Sequence, residues 1–410
     1  MQILWISHFL LYPDTGYGAL QRSKNLLKCL GTKSEVILIC LVREYDRQLA
    51  PSIEVAYKDL KNYCTEVYFI QHKVKASHKI KFLFKNVLTG TPYSVFLYRS
   101  KELLAVVKSI LSNNKIDLIH ADTIGLIEQS IKEIESVKVL NHHDIESHKM
   151  SRRTKTETNI LKKLFYYYES YCIKKYEKRY CKEYDLNIVV SEVDKSRLQE
   201  IEQDIKIEVV ANGVDCDYFQ FSSRENSNEE LIFTGTLDYY PNSHAIIYFF
   251  SDVWPFLKKK YPDMKLTIIG KNPPITVVDL VNKYKDVTLC GYVPDVRPYI
   301  KNASIYICPI QDGGGTRLKI LDALAQGIPV VSTEMGAEGL HLDDGIHLLI
   351  GNTPDEFLEK ISILIDNPAL SKTISTNGRM FVEKNYSYSV IGEKFTSIYK
   401  ALIESGKRSI

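Results

Sequence analysis

The chain has 410 residues, of which 45% are hydrophobic and 25% charged, a globular composition that excludes a disordered or fibrous protein and fits two or three domains. The net charge of +3 divides unevenly, with +7 on residues 1–204 and −4 on residues 205–410. We therefore expect the two halves to meet different partners. No stretch approaches the about 18 uninterrupted apolar residues of a membrane-spanning helix. The apolar start from Met1 to Pro13 lacks the basic residues of a secretory signal, so we expect a cytoplasmic protein.

Short apolar runs alternate with helical patterns through the first half of the chain. The first run, Gln2 to Ser7, precedes a loop with Gly16 and Gly18 and then helical spacing from Ala19 to Leu30. Further strand-like runs are 35–41, 66–70, 117–120, 137–141, 186–190 and 207–210. Strands that alternate with helices predict a parallel α/β sheet.

A polar stretch from Ser222 to Glu229 interrupts this alternation and predicts a linker between domains. Strand-like runs then resume at 231–234, 265–269, 287–290, 304–309, 329–332 and 347–350. Tyr388 to Ser405 has the spacing of an amphipathic helix. The predicted fold class is α/β, with two Rossmann-like parallel-sheet domains, 1–224 and 225–386, facing a cleft, and a C-terminal helix at 387–410.

A glycine loop from Asp312 to Gly315 lies between a predicted strand and a predicted helix. Backbone amides and the helix dipole bind phosphate in such an arrangement. Arg317 and Lys319 put two cations near the helix start, where like charge costs roughly 0.3–1 kcal/mol unless an anion is bound. Asp322 could accept hydrogen bonds from a ribose. The alternative is a plain glycine-rich loop with solvated charges.

Three further segments carry polar residues, and a metal site is not the favoured interpretation of any of them. The loop from Asp14 to Gly18 opens the first helix, and a phosphate contact or a tight turn explains it equally. Asn141 to Glu146 lies at the carboxyl end of a strand, where open α/β sheets place ligand residues, but it has no distant partner motif for a metal. Asp215 and Asp217 resemble a DxD motif but follow an Asn-Gly turn signal, which favours a structural role.

Residues 71–101 hold seven Lys or Arg and no acidic residue, mixed with apolar side chains such as Phe82, Leu83 and Phe84. This mixture is typical of a membrane-surface helix. The stretch Arg152 to Lys182 adds ten basic residues to a Tyr-rich helical pattern. Solvated helix faces are one alternative. Nucleic acid is another, which the lack of an RNP or zinc-finger motif disfavours.

The order of these motifs resembles that of family 4 glycosyltransferases of the GT-B fold along nearly the whole chain. The matching segments are the Gly16/Gly18 loop, 143–146, 190–192, 212–215, 233–238 with Pro241 and Asn242, 268–270, 291–295 and 313–333. The chain looks most like the bacterial branch that builds exported polysaccharides or lipid-linked glycans.

This resemblance implies a retaining transfer of a sugar from a nucleotide diphosphate donor to an acceptor hydroxyl, without a metal or other cofactor. Fixed amides and cations would stabilise the charge that develops on the leaving diphosphate. Asp322 would bind the ribose, the backbone near Tyr292 and Val293 would meet the base, and His143 would reach over the donor sugar. The residues implied for the diphosphate are Gly16, Gly18, Gly314, Gly315, Thr316, Arg317 and Lys319.

Two positions depart from the family pattern. The family carries two glutamates eight positions apart, where this chain has Gly314 and Asp322. The family's Arg and Lys after the first strand of the second domain are missing from Thr236 to Asn242. We expect Arg317 and Lys319 to replace that cationic clamp.

The sequence therefore predicts a glycosyltransferase for a lipid-linked or polysaccharide acceptor. We expect it to bind peripherally to the anionic inner face of the cytoplasmic membrane. No nucleic-acid partner is expected, and the C-terminal helix is expected to pack on the N-terminal domain. One alternative is a GT-B sugar-nucleotide epimerase, for which only His143 to Glu146 offers acid and base groups. The other is a catalytically inactive donor-binding or membrane-docked protein.

Overall fold

A computed structural model describes residues 1–13, 18–43, 53–73, 76–129, 135–157, 159–222, 229–313 and 316–407. The chain divides into two compact units. Unit 1 consists of Met1–Ala211 and Ile391–Ile410, and unit 2 consists of Asn212–Val390.

Unit 1 is built on a parallel sheet. Its strands are β1 (Gln2–Ser7), β2 (Glu35–Val42), β3 (Glu66–Gln71), β4 (Leu118–Ala121), β5 (Val137–Asn141), β6 (Leu186–Val189) and β7 (Ile207–Val209). Among the described residues their order across the sheet is β3-β2-β1-β4-β5-β6-β7. In the central register, Ile3 lies opposite Val36 on one side and Leu118 on the other. The central strands are buried on both faces, so they are apolar almost throughout rather than alternating.

Helices cover both faces of this sheet. They are α1 (Gly18–Gly31), α2 (Ile53–Leu60), α3 (Ala76–Thr89), α4 (Tyr93–Tyr98), α5 (Lys101–Asn113), α6 (Glu146–Thr156), α7 (Ile160–Tyr180) and α8 (Glu192–Ile201), with 3₁₀ turns at Ile124–Gln129 and Cys181–Glu183. Ser100 and Ser191 cap α5 and α8, each accepting a hydrogen bond from a backbone amide of the first turn. Leu4 and Ile6 of β1 belong to the core formed with α5, whereas Trp5 stacks on His120.

Unit 2 has a second parallel sheet. Its strands are β8 (Glu230–Thr234), β9 (Lys265–Ile269), β10 (Val287–Gly291), β11 (Ile305–Cys308), β12 (Val330–Ser332) and β13 (Leu349–Ile350). Among the described residues they run in the order β10-β9-β8-β11-β12-β13. The strand order reverses between β8 and β11, which is where open α/β sheets bind ligands beyond the carboxyl ends of the strands.

The helices of unit 2 pack aromatic and branched side chains onto this sheet. They are α9 (Tyr240–Tyr248), α10 (Trp254–Lys260), α11 (Ile275–Val281), α12 (Arg297–Asn302), α13 (Leu318–Ala325), α14 (Pro354–Asp366) and α15 (Pro368–Tyr386), with a π-helical turn at Phe249–Val253. Phe249, Trp254 and Phe357 are fully buried and pack with strand residues such as Phe233 and Ile268. Thr353 and Glu356 form a capping box that begins α14.

The last helix, α16 (Tyr388–Lys407), begins in unit 2 and continues into unit 1. The boundaries expected at 224/225 and 386/387 therefore differ from the structural divisions at 211/212 and 390/391. The difference at the first boundary is explained by backbone hydrogen bonds. The amide of Val214 donates to the carbonyl of Tyr386, and the amide of Tyr388 donates back to Val214, so the segment after Ala211 belongs with unit 2. Most of the expected linker, residues 223–228, lies outside the described residues.

The predicted fold class of two Rossmann-like parallel-sheet domains is confirmed by these sheets. The basic stretch 71–101 is not one helix, because it runs from the end of β3 through α3 and α4. Within the described ranges, no helix has the length and apolar character needed to cross a bilayer.

Candidate functional site

The loop before α13 in unit 2 carries the predicted phosphate-binding residues. Gly314 and Gly315 lie outside the described residues, and Thr316 follows them. Arg317 is 7% exposed, and its Nη2 donates to the carbonyl oxygen of Gly313 over 2.7 Å. This bond places the guanidinium beside Gly313, so a cation lies at the start of α13, where phosphate is expected to bind.

Lys319 extends from the first turn of α13 to the end of β8. Its Nζ donates to Oδ1 of Asn242 over 2.7 Å and lies 4.3 Å from the centre of the Phe233 ring. At Gly235, where the backbone φ is +150°, an added Cβ would lie 2.4 Å from this Nζ. A side chain here would have to displace the ammonium, and the positive φ would strain any residue other than glycine. Burial lowers the pKa of Lys319 to about 8, because the charged ammonium is less stable away from water.

Asp322 lies one turn further along α13. Burial raises the pKa of its carboxyl to about 7, although the charge of Lys319 acts in the opposite direction. A partly buried carboxylate beside a cation is suited to accept hydrogen bonds from sugar hydroxyls.

Tyr292 and Val293 follow the carboxyl end of β10, two strands away from β8. Gly291 before them has φ +67° and accepts a hydrogen bond at its carbonyl from the amide of Gly270. Tyr292 is 68% exposed. The described residues of unit 2 that are predicted for phosphate, ribose and base thus follow strand ends at the same edge of its sheet.

A polar cluster occupies the corresponding edge of the unit 1 sheet, and His143 lies in it. Asp122, which directly follows β4, is fully buried, and its Oδ1 lies 3.0 Å from Nε2 of His143. Asn141 at the end of β5 donates to Oδ1 of Asp122 over 2.9 Å, and Ser23 on α1 donates to Oδ2 over 2.7 Å. Burial alone would raise the pKa of Asp122, but His143 and His120 hold it well below its usual range.

The neighbouring His142 has a different environment. It is buried, its Nε2 lies 3.1 Å from Oδ1 of Asn187, and burial lowers its pKa to about 4. Of the two adjacent histidines, His142 therefore packs in the core, and His143, with 13% of its side chain exposed, belongs to the polar cluster.

The N-terminal loop residue Gly16 lies outside the described residues, and Gly18 is the first residue of α1. Arg22, one turn into α1, is buried, and its Nη1 donates to the carbonyl of Ala211 over 2.8 Å. Through Ser23, α1 also reaches within 3.4 Å of Nε2 of His143. The first helix and the His143 turn therefore meet in one cluster.

The acidic residues considered as metal ligands have other partners. Asp144 pairs with Arg152 at 3.2 Å, and Glu146 pairs with Lys149 at 3.0 Å. Asp215 accepts hydrogen bonds from the amides of Asp217 and Tyr218, which is an Asx turn.

The sequence did not identify Asp122 as a site residue, and it did not predict the hydrogen bond between Lys319 and Asn242. Asp122 carried a usable signal, since a carboxylate directly after a buried strand lies where such sheets bind ligands. The Asn242 contact carried none, because it joins positions 77 residues apart through the packing of α9 and α13.

Comparison with known proteins identifies relatives of this chain. The family model described as "Glycosyl transferases group 1" matches residues 228–367, within unit 2. An uncharacterised 44.6 kDa protein in the cps region of Klebsiella pneumoniae is 25% identical over 411 residues, 97% of this chain and 99% of that protein. A phosphatidyl-myo-inositol mannosyltransferase of Mycobacterium tuberculosis is 23% identical over 212 residues, 48% of this chain and 55% of that enzyme. This chain thus spans about half the length of the mycobacterial relative.

Among solved structures, Anabaena Alr3699/HepE in complex with UDP matches with a TM-score of 0.65 and 14% identity. The match covers 98% of this chain and 100% of the Anabaena chain. At this identity the likeness shows a shared fold of both units.

Proposed function

We propose that the chain is a glycosyltransferase of the GT-B fold that transfers a sugar from a nucleotide diphosphate sugar to a hydroxyl group of a lipid-linked or polysaccharide acceptor. We also propose that the configuration at the anomeric carbon is retained and that no metal takes part. The observation that carries the proposal is the position of Lys319, a partly buried cation held against the neutral amide of Asn242.

A diphosphate is the ligand that best compensates this arrangement. A cation in a low-dielectric site is costly unless an anion faces it, and here a neutral amide oxygen faces the ammonium. Arg317 adds a second buried cation at the same helix start. When the bond to the sugar breaks, negative charge grows on the leaving diphosphate, and these cations stabilise it without reorganisation.

The location of Lys319 supports the proposed replacement of the family's cationic clamp. The family's missing Arg and Lys belong to the segment after β8, which here reads Thr236 to Asn242. Nζ of Lys319 reaches that segment from α13 by its bond to Asn242. We propose that Lys319 and Arg317, at the start of α13, supply the charges that the family takes from the segment after the first strand of the second domain.

The remaining donor contacts follow from the same strand ends. Asp322 would bind the ribose, and the backbone at Tyr292 and Val293 would meet the base. The loop of Gly314, Gly315 and Thr316 would hold the diphosphate. The Anabaena structure contains UDP, which supports uridine diphosphate sugars as the first donors to test.

The acceptor proposal is supported by the relatives. The Klebsiella protein is described by its position in a cps region, and the mycobacterial relative by its transfer of mannose to phosphatidyl-myo-inositol. Both descriptions fit an acceptor that is a cell-envelope glycan or a lipid.

An exposed apolar surface on unit 1 supports a membrane location. Tyr168 of α7 donates to the carbonyl of Val87 in α3 over 3.3 Å, so these two helices adjoin. We name the exposed apolar side chains of the two helices the α3–α7 surface: Leu83, Phe84, Val87, Leu88, Ile160, Leu161, Leu164, Tyr167 and Tyr171. Soluble monomers rarely leave such a set uncovered.

The charges around the α3–α7 surface favour anionic lipid. Exposed lysines accompany the apolar side chains on both helices, at positions 81, 85, 162, 163, 174 and 175. Each basic side chain near an anionic bilayer contributes about 1 kcal/mol. We propose that unit 1 docks on the inner face of the cytoplasmic membrane through this surface.

The proposal is tested with purified protein, a radiolabelled nucleotide sugar chosen from a thermal-shift screen, and bacterial membrane extract. Label should move into lipid or polysaccharide in the presence of EDTA, and His143→Ala should abolish the transfer. NMR of the product should show the anomeric configuration of the donor. A free isomer of the sugar nucleotide as the product would instead identify an epimerase, and donor binding without any product would identify an inactive binding protein.

A further inference from the structure

A chain of four polar side chains connects the last helix of the protein to His143. The hydroxyl of Tyr399 in α16 contacts Nδ1 of His120, and Nε2 of His120 lies 3.5 Å from Oδ1 of Asp122. The same Oδ1 lies 3.0 Å from Nε2 of His143. All four residues belong to unit 1, and the first three are fully buried.

The outer two of these contacts are hydrogen bonds, and their directions follow from which groups can donate. Burial raises the pKa of Tyr399 well above its usual value, so its hydroxyl keeps the proton and can donate to His120. Nδ1 of His120 then accepts, which leaves the proton of this imidazole on Nε2, facing Asp122.

Asp122 fixes the last bond of the chain. Its pKa is held well below the usual range, and an ionised carboxylate can only accept hydrogen bonds. Nε2 of His143 must therefore carry a proton toward Asp122. In the neutral imidazole this leaves Nδ1 with a free lone pair, and Nδ1 of His143 is a buried atom without a hydrogen-bond partner among the residues that the structure describes.

We propose that Asp122, supported by His120 and Tyr399, is a positioning residue that holds His143 in the tautomer protonated at Nε2, so that Nδ1 accepts a hydrogen bond from a substrate hydroxyl. The identity of that substrate as a sugar rests on the proposed function. The tautomer does not, because it is set within unit 1 alone.

The C-terminal helix is part of this arrangement. His120 packs against Trp5, whose ring centre lies 3.7 Å away, and against Phe395 of α16 at 6.2 Å. Tyr399 lies one turn beyond Phe395 on the same helix and adds the hydrogen bond. The helix thus contributes one packing contact and one polar contact, and separate substitutions can remove each of them.

The test uses the full chain labelled with ¹⁵N-histidine, whose ring nitrogens report by NMR which of them carries the proton. In the wild-type protein without substrate, His143, identified by its absence in His143→Ala, should be protonated at Nε2. Asp122→Asn should change this pattern and lower kcat by on the order of 100-fold while leaving the donor KM within about twofold. Tyr399→Phe should shift the His120 signals and lower kcat by about tenfold, the effect of one hydrogen bond.

Phe395→Leu is the matched control, since it changes the packing of the same helix but none of these hydrogen bonds. It should leave the His120 and His143 signals at their wild-type tautomers. A wild-type His143 protonated at Nδ1 alone would overturn the proposal, even if Asp122→Asn failed to fold. An unchanged His143 tautomer in a folded Asp122→Asn variant would also overturn it. Because the spectra need no substrate, they stand apart from any failure to detect sugar transfer.

Discussion

Nζ of Lys319 donates a hydrogen bond to Oδ1 of Asn242 over 2.7 Å, which brings a cation from the start of α13 to the end of β8. The two residues lie on helices that follow different strands of the unit 2 sheet. A nucleotide diphosphate bound beyond these strand ends would meet the cation directly.

The affinity for UDP should depend on pH in a defined window. If Lys319 binds the diphosphate and Asp322 the ribose, donor binding requires Lys319 protonated, with a pKa of about 8, and Asp322 ionised, with a pKa of about 7. Affinity should therefore be greatest between pH 7 and pH 8 and fall about tenfold per pH unit above pH 8, because one proton is lost. Titration calorimetry measures this directly. In Lys319→Arg, UDP affinity should no longer fall above pH 8, because a guanidinium stays charged. A wild-type UDP affinity that does not change from pH 7.5 to 9.5 would contradict the role of Lys319.

Asp322→Asn should weaken UDP binding by roughly tenfold or more, because a hydrogen bond from a ribose hydroxyl to a carboxylate is stronger than one to an amide. The affinity for inorganic pyrophosphate should stay within about twofold, since that ligand has no ribose. Asp322→Glu, which keeps the carboxylate, is the matched control and should retain most UDP affinity. Equal losses for both ligands would show that Asp322 acts through the charge of Lys319 rather than on the ribose.

Asn242→Asp should convert the contact of Lys319 into an ion pair. The new carboxylate would raise the pKa of Lys319 and compete with the diphosphate, so UDP affinity should fall by about tenfold or more. The alkaline limit of binding should move above pH 8 in the same titrations. Tighter UDP binding in this variant would show that Lys319 does not face the diphosphate.

Substitution on the α3–α7 surface should reduce membrane binding without affecting UDP affinity. Phe84 is 68% exposed, and Phe84→Ser combined with Leu164→Ser removes apolar area that would be buried in the bilayer interface. Sedimentation with phosphatidylglycerol vesicles should show several-fold less bound protein than for the wild type. Phe256→Ser is the control, because Phe256 is 59% exposed on α10 in unit 2. Equal binding by all three proteins would show that the α3–α7 surface does not bind the membrane.

The sequence predicts the sheets well because both are parallel and buried, so each strand is a short apolar run. Val137–Asn141 and Lys265–Ile269 have the predicted bounds, and the glycine loop before α13 is recognisable from its spacing alone. The domain boundary is harder, since the hydrogen bonds between Val214 and Tyr386 join residues distant in sequence.

The sites show the same division between local and distant information. Arg317, Lys319 and Asp322 lie within two turns of each other, so their shared position at a helix start follows from the sequence. The polar partners of His143 come from α1, the end of β4 and the end of β5. Only the packed sheet brings Ser23, Asn141 and His143 to the carboxylate of Asp122. Such partners cannot be derived from spacing along the chain.

The most direct measurement of the central claim is turnover of a donor sugar by the Arg317→Ala/Lys319→Ala double variant. Consumption of a radiolabelled nucleotide sugar, with membrane extract as the acceptor source, should fall below about 1% of the wild-type rate, because both cations proposed to stabilise the leaving diphosphate are gone. The fold should remain intact by circular dichroism, and Lys301→Ala, which removes an exposed lysine on α12, should turn over normally. A folded double variant that keeps the wild-type rate would contradict the proposed role of Arg317 and Lys319 at the diphosphate.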